Sequence, residues 1–138
     1  MKSIFIDCSL GISGDMLASA LIDLGVPQSI FVDNVANLKI DDNYNINFEE
    51  ADSNGIRGIL CKKNKIQLKE SSRSFNYIKN FIRSSSLNDS VKEKSIKVFE
   101  ILAESEAIVH GTEILDVHFH ELASIDSIID IVNVCSAI

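Results

Sequence analysis

The chain has 138 residues, 46% of them hydrophobic, and a formal net charge of -7. That length suits one domain over residues 1–138, with a core large enough to fold without disulfide or metal staples. The acidic balance argues against a nucleic-acid partner, whose phosphates are held by Lys and Arg displacing counterions, and no apolar run approaches the roughly 20 residues needed to cross a bilayer, so no membrane partner is expected.

Three cysteines, Cys8, Cys61 and Cys135, are odd in number and widely spaced. They form no C-x-x-C pair, which excludes a zinc ribbon or a disulfide framework and fits a reducing, cytoplasmic compartment. No charged leader runs into an apolar stretch.

In chain order, residues 2–7 are a short apolar run ending in Asp7 and read as a first, buried strand. The loop from Cys8 to Gly14 follows and opens a helix with Met16, Leu17, Ala20, Leu21 and Leu24 as its apolar residues, stopped at Gly25. A glycine loop at a helix N-terminus presents unpaired N–H groups and partial positive charge, so Gly11, Ser13, Gly14 and Asp15 form a candidate phosphate cradle. The pattern is neither G-x-G-x-x-G nor a P-loop. Asp7 and Asp15 bracket the loop and read either as turn-forming and helix-start carboxylates or as ligands of a cation or cation-bound phosphate.

Pro27 suits the first turn of a second helix reaching Leu38, with Ile30, Phe31, Val35 and Leu38 inward. Residues 44–51 and 56–68 read as an antiparallel hairpin around Asp52-Ser53-Asn54-Gly55, with Lys62, Lys63 and Lys65 on a solvated face. A helix follows at Phe75–Arg83, and a longer one at Asp89–His110 is opened by Asn88 and closed by Gly111. On the longer helix, Val91, Val98, Leu102 and Val109 form the expected inward stripe, widened by Phe99 and Ala103. His110 lies one turn from Glu106, a position that the helix dipole favours without any ligand role. The fold expected is α/β, with α+β as the alternative. It has a small mixed sheet of about three strands, including the hairpin, covered by several helices.

The densest chemistry lies at 117–130. If residues 117–120 are extended, His118 and His120 project to one side while Val117 and Phe119 pack on the other. From Glu121 the period turns helical and sets Asp126 and Asp130 one turn apart. Imidazole with carboxylate suits nickel, zinc, copper or iron, and spacing alone does not choose among them. The last helix is apolar nearly all round, which calls for neighbours on both sides.

Three blocks, Asp7–Met16, Ala103–Gly111 and Val117–Asp130, resemble the nickel-insertion proteins of nickel-pincer cofactor biosynthesis, the LarC family, and occur in that family's order. The resemblance implies Ni²⁺ binding and CTP-dependent insertion of nickel into a pyridinium bis-thiocarboxylate mononucleotide. In this family the nucleotide-handling part lies C-terminal to the region resembled. A histidine-rich stretch common in the family has no counterpart here, where Lys69–Ser74 contains no histidine. His110, His118 and His120 are carried over as candidate metal ligands. Gly11, Ser13, Gly14 and Asp15 are candidate cofactor-binding residues. One of Glu121, Asp126 or Asp7 is the candidate acceptor of the proton lost when nickel replaces hydrogen on the ring carbon. Histidine ligation implies metal affinity falling below about pH 6. The expected partners are the mononucleotide precursor and a C-terminal polypeptide, or a second copy, docked through the apolar last helix.

Two other readings stand beside this one. The chain is either a non-catalytic folding or assembly module for a C-terminal partner, or a metal-dependent hydrolase using H-x-H. The hydrolase reading is the weaker, because such barrels need about 250 residues.

Overall fold

The computed structural model describes residues 3–9, 11–40, 44–64, 73–119 and 124–138. Its helices are α1 (Gly14–Asp23), α2 (Gln28–Leu38), α3 (Phe75–Ser84), α4 (Asp89–His110) and α5 (Ile125–Ala137). The strands are β1 (Ile46–Ser53), β2 (Ile56–Lys63), β3 (Arg73–Ser74) and β4 (His118–Phe119).

Local chemistry fixes the helix ends. Ser74, Asn88 and Ser124 each accept a backbone N–H of the first turn through their side chains, which satisfies donors that a helix start leaves open. Gly111 closes α4 at φ +64°, the left-handed conformation that glycine adopts without steric penalty. Between β1 and β2, Asn54 and Gly55 both have positive φ and join Ser53 to its partner Ile56. This is the two-residue turn that matches strand twist.

α5 is the hub, packed against α1, α2 and α4. Ile128, Ile129 and Val132 are fully buried there, next to Phe31 of α2 and Phe99 of α4 in the same core. A polar contact crosses this packing: Asn34 Nδ2 donates to Asn133 Oδ1 at 3.1 Å and to Ser136 Oγ at 2.8 Å. Phe99 and Phe119 meet with ring centroids 6.1 Å apart, which brings β4 onto the core.

The mixture of helices with small antiparallel sheets follows the α/β expectation, but its strands differ in detail. They form two separate antiparallel pairs, β1 with β2 and β3 with β4. The run expected as a first strand is neither strand nor helix over residues 3–8. A segment apolar on both faces is stable as a strand only between neighbours, and neither pair lies beside it. The second hairpin strand ends at Lys63, short of 68, and residues 65–72 lie outside the described residues. The last helix begins after Ser124 rather than at Glu121, since Ser124 holds extended backbone and caps it. On α4 the buried side is Ser95, Phe99, Ala103 and Ala107, while Val109 is 77% exposed. This is the side of α4 that packs on α3 and α5 within the core. On α1, Ala18, Ser19 and Leu21 are buried whereas Met16 and Leu24 face outward. Three helices of the same chain cover the Ile128, Ile129 and Val132 side of α5, while Ile131, Val134 and Cys135 are half-buried.

Candidate functional site

Two of the three sequence blocks meet where the start of α1 lies against α5. Gly14 sits so close to Asp130 that a Cβ there would overlap Cβ and Cγ of the aspartate. Glycine at this position is therefore a packing requirement, whatever the loop binds. Ser13 Oγ hydrogen-bonds to Asp15 Oδ1, which also accepts the N–H of Met16 at 2.9 Å.

The opposite wall comes from the hairpin. Lys63, at the end of β2, donates to Asp130 Oδ1 at 2.6 Å, both side chains about one-fifth exposed. Tyr44, buried, donates its hydroxyl to Asp126 Oδ1 at 2.6 Å. Among the described residues, three carboxylates, Asp15, Asp126 and Asp130, thus share the field of a single ammonium.

The titration behaviour follows from that imbalance. Burial raises the Asp130 carboxyl above its usual range, and Asp15 and Asp126 add to the effect against the pull of Lys63. Burial pulls the Lys63 ammonium down, but Asp130 and Asp126 outweigh it and the net shift is upward. Asp15 is lowered, chiefly by the Ser13 hydroxyl. Burial and the Asp126 carboxylate push the Tyr44 phenol up, so it stays a donor. Cys61, facing the same cluster, is raised by burial and remains a thiol, a poor metal ligand at neutral pH.

Two cavities flank the cluster. One of about 370 Å³ lies between α1 and β2 and is lined by Asp15, Asp23 and Cys61 among others. The other, of about 290 Å³, is bounded by Gly14, Ser127, Asp130 and the apolar side of α5. An excess of negative charge favours a cation, or a phosphate that arrives with one, over a bare anion.

Of the residues expected from sequence, Gly14, Asp15 and Asp126 are brought together, with Ser13 beside them. Gly11, at φ +86°, shapes the preceding turn, its N–H bonded to Cys8. Asp7 is exposed, lowered by the Ser9 N–H that it accepts at 2.9 Å, and borders a different cavity. His110 is paired with Glu106 at 3.2 Å on the last turn of α4. His118 points outward from β4 while Val117 and Phe119 are buried, the alternation expected of an extended segment. His120 and Glu121 lie outside the described residues. Among the described residues no three His, Cys, Asp or Glu side chains converge closely enough to hold a metal ion.

The sequence reading missed Lys63, Tyr44 and Cys61 and left Asp130 out of the site. Lys63 looked like one of several solvated lysines. Its inward placement follows from the hairpin register, where it pairs with Ile46, and from α5 lying over the hairpin's open end. No local pattern carries that information.

Comparison with known proteins gives a consistent result. Residues 4–138 match the family described as nickel insertion protein. A pyridinium-3,5-bisthiocarboxylic acid mononucleotide nickel insertion protein of Clostridium acetobutylicum is 36% identical over 96% of this chain and 39% of its own length. One of the same name from Staphylococcus saprophyticus is 38% identical over 99% of this chain and 34% of its own. A putative nickel insertion protein of Geobacter sulfurreducens is 40% identical over the whole of this chain and 36% of its own. The chain spans between about a third and two-fifths of the length of these relatives, and no solved structure matches it. With nearly its full length inside the match, this chain belongs to the nickel insertion protein family.

Proposed function

We propose that the chain receives Ni²⁺ and takes part in its insertion into pyridinium-3,5-bisthiocarboxylic acid mononucleotide, as the N-terminal part of a unit completed by the polypeptide that its relatives carry beyond the matched region. The observation that supports this most directly is the meeting of the Asp7–Met16 and Val117–Asp130 blocks at one acidic cluster around Lys63.

In this reading His118 and His120 capture the nickel ion, with His110 as a further ligand, and the acidic cluster draws it toward the substrate. The loop from Gly11 through Ser13 and Gly14 to Asp15 holds the metal-associated phosphate of the mononucleotide. When the ring carbon–hydrogen bond gives way to a carbon–nickel bond, a carboxylate takes the proton. Asp126 takes this role ahead of Asp7, because it lies at the cluster and Tyr44 orients it; Glu121 is the alternative acceptor. CTP is handled by the completing polypeptide. The setting is cytoplasmic, with no nucleic acid or membrane involved. Among the described residues no helix is long and apolar enough to cross a bilayer.

Ni²⁺ titration by calorimetry tests the reading on the folded chain, beside His118→Ala/His120→Ala and Asp15→Asn/Asp126→Asn. Binding is expected in the wild-type chain, lost in the histidine variant and weakened in the aspartate variant. A folded wild-type chain that binds no nickel would overturn it.

A second reading, a non-catalytic assembly module for the completing polypeptide, is favoured by the exposure of Ile4, Phe5 and Ile6. It requires a complex on mixing the two parts, and absence of a complex would remove it. A second copy docked through α5 would use its half-buried side, Ile131, Val134 and Cys135, since α1, α2 and α4 take the other.

A further inference from the structure

Ile4, Phe5 and Ile6 are 52%, 92% and 42% exposed, three consecutive apolar residues turned to solvent. Beside them on α1, Met16 and Leu24 are 58% and 74% exposed, and a shallow cavity of about 260 Å³ runs between the segment and the helix. Among the described residues, the backbone of residues 3–7 makes no bond to any strand.

A lone exposed leucine on a soluble protein needs no account, but a continuous apolar patch marks a surface that is covered in use. The chemistry of this patch narrows the cover. A strand with one solvated face alternates apolar and polar residues, whereas Ile4-Phe5-Ile6 offers an apolar side chain to both faces. That is the composition of a strand inside a sheet, flanked on both edges and covered above and below. Among the described residues β1 and β2 pair only with each other, as do β3 and β4, so none of these four strands flanks the segment. A twofold pairing with a second copy supplies one neighbour and leaves the other edge bare. The relatives carry well over half of their length outside the matched region.

We propose that Ser3–Asp7 is a central strand of a sheet whose neighbouring strands belong to that remaining part of the nickel insertion polypeptide, with α1 covering one face through Met16 and Leu24. The inference deepens the proposed function, on whose completing polypeptide it rests. Main-chain pairing supplies the affinity, and the apolar side chains of Ile4, Phe5 and Ile6 supply the fit. Because only Cys8, Ser9 and Leu10 separate the strand from Gly11–Asp15, seating it also sets the position of the loop against Asp130. The joint surface then lies beside the acidic cluster.

Amide hydrogen exchange read by fragmentation mass spectrometry tests this on two samples, the 138-residue chain and the intact nickel insertion protein of Clostridium acetobutylicum. In the chain alone the amides of residues 4–7 are expected to exchange at close to free-peptide rates. In the intact relative the matching segment is expected to be slowed at least ~100-fold, as for core strands. Fast exchange in the intact relative would overturn the proposal. Protection already present in the chain alone would also overturn it, and sedimentation would then show whether a second copy is responsible. Protection in the intact relative without any complex between the separate parts would sink only the two-part assembly and leave the strand assignment standing.

Discussion

Gly14 and Asp130, 116 positions apart in the chain, are in such close contact that residue 14 has no room for a side chain. The contact locks the start of α1 to the middle of α5, and it places Asp15 beside the Lys63–Asp130 ion pair. A substitution here therefore tests packing and site together. Gly14→Ala must push the helices apart and is expected to cost about 1–3 kcal/mol, seen as a lower urea midpoint. Gly58→Ala, where an added Cβ meets nothing, serves as the comparison and should stay within about 0.5 kcal/mol.

Among the described residues, Lys63 is the ammonium that faces Asp15, Asp126 and Asp130. Lys63→Met leaves the carboxylates to repel one another in a partly buried place, an expected loss of about 2 kcal/mol at pH 7 after allowance for solvent screening. The sign with pH follows from the shifts. The folded Lys63 pKa is raised, so its contribution is complete below the unfolded value near 10.4 and fades as pH rises through the folded one. The folded Asp130 pKa is also raised, so acidification neutralises this carboxyl early. The difference between wild type and variant should narrow toward pH 4. Chemical denaturation at pH 4, 7 and 10.5 checks all three points.

Much of the architecture was legible in sequence because local chemistry determines it. Asn88 and Gly111 bound α4 at the residues expected, and Asn54-Gly55 turns the hairpin. What failed was long-range. Ile4-Phe5-Ile6 has the composition of a buried strand, yet residues 3–8 form no strand and these three side chains are exposed. No periodicity reveals that α1, α2 and α4 take up the buried side of the last helix. For the site, Asp15 was visible as a carboxylate at a helix start, and Asp126 as one of two carboxylates a turn apart on the last helix. Lys63 and Tyr44 were not, because their inward direction depends on hairpin register and on where α5 lies.

Asn34, Asn133 and Ser136 form the polar contact between α2 and α5, with Asn34 and Asn133 buried. Asn34→Ala removes the donor and leaves the Asn133 carbonyl oxygen without it in a dry setting, at an expected cost of about 1–3 kcal/mol. Asn34→Leu paired with Asn133→Leu replaces both partners by apolar groups and should recover part of that loss. If the double variant is less stable than Asn34→Ala alone, the contact contributes more than satisfaction of its own polar atoms.

Tyr44 donates to Asp126 at 2.6 Å from a buried ring. Tyr44→Phe keeps the ring and deletes the hydrogen bond to a charged acceptor, with an expected loss of about 1–2 kcal/mol at neutral pH. The consequence for function is separate from the loss of stability. Without the Tyr44 donor, the Asp126 carboxylate becomes a freer proton acceptor but a less well-aimed one. In a reconstituted nickel-insertion assay with the complete polypeptide, the proposal that Asp126 takes the ring proton predicts a Tyr44→Phe rate that falls with little change in Ni²⁺ affinity. Asp126→Asn should abolish turnover while the protein stays folded. Normal turnover in Asp126→Asn would move the proton to another carboxylate and leave Tyr44 with a structural role alone.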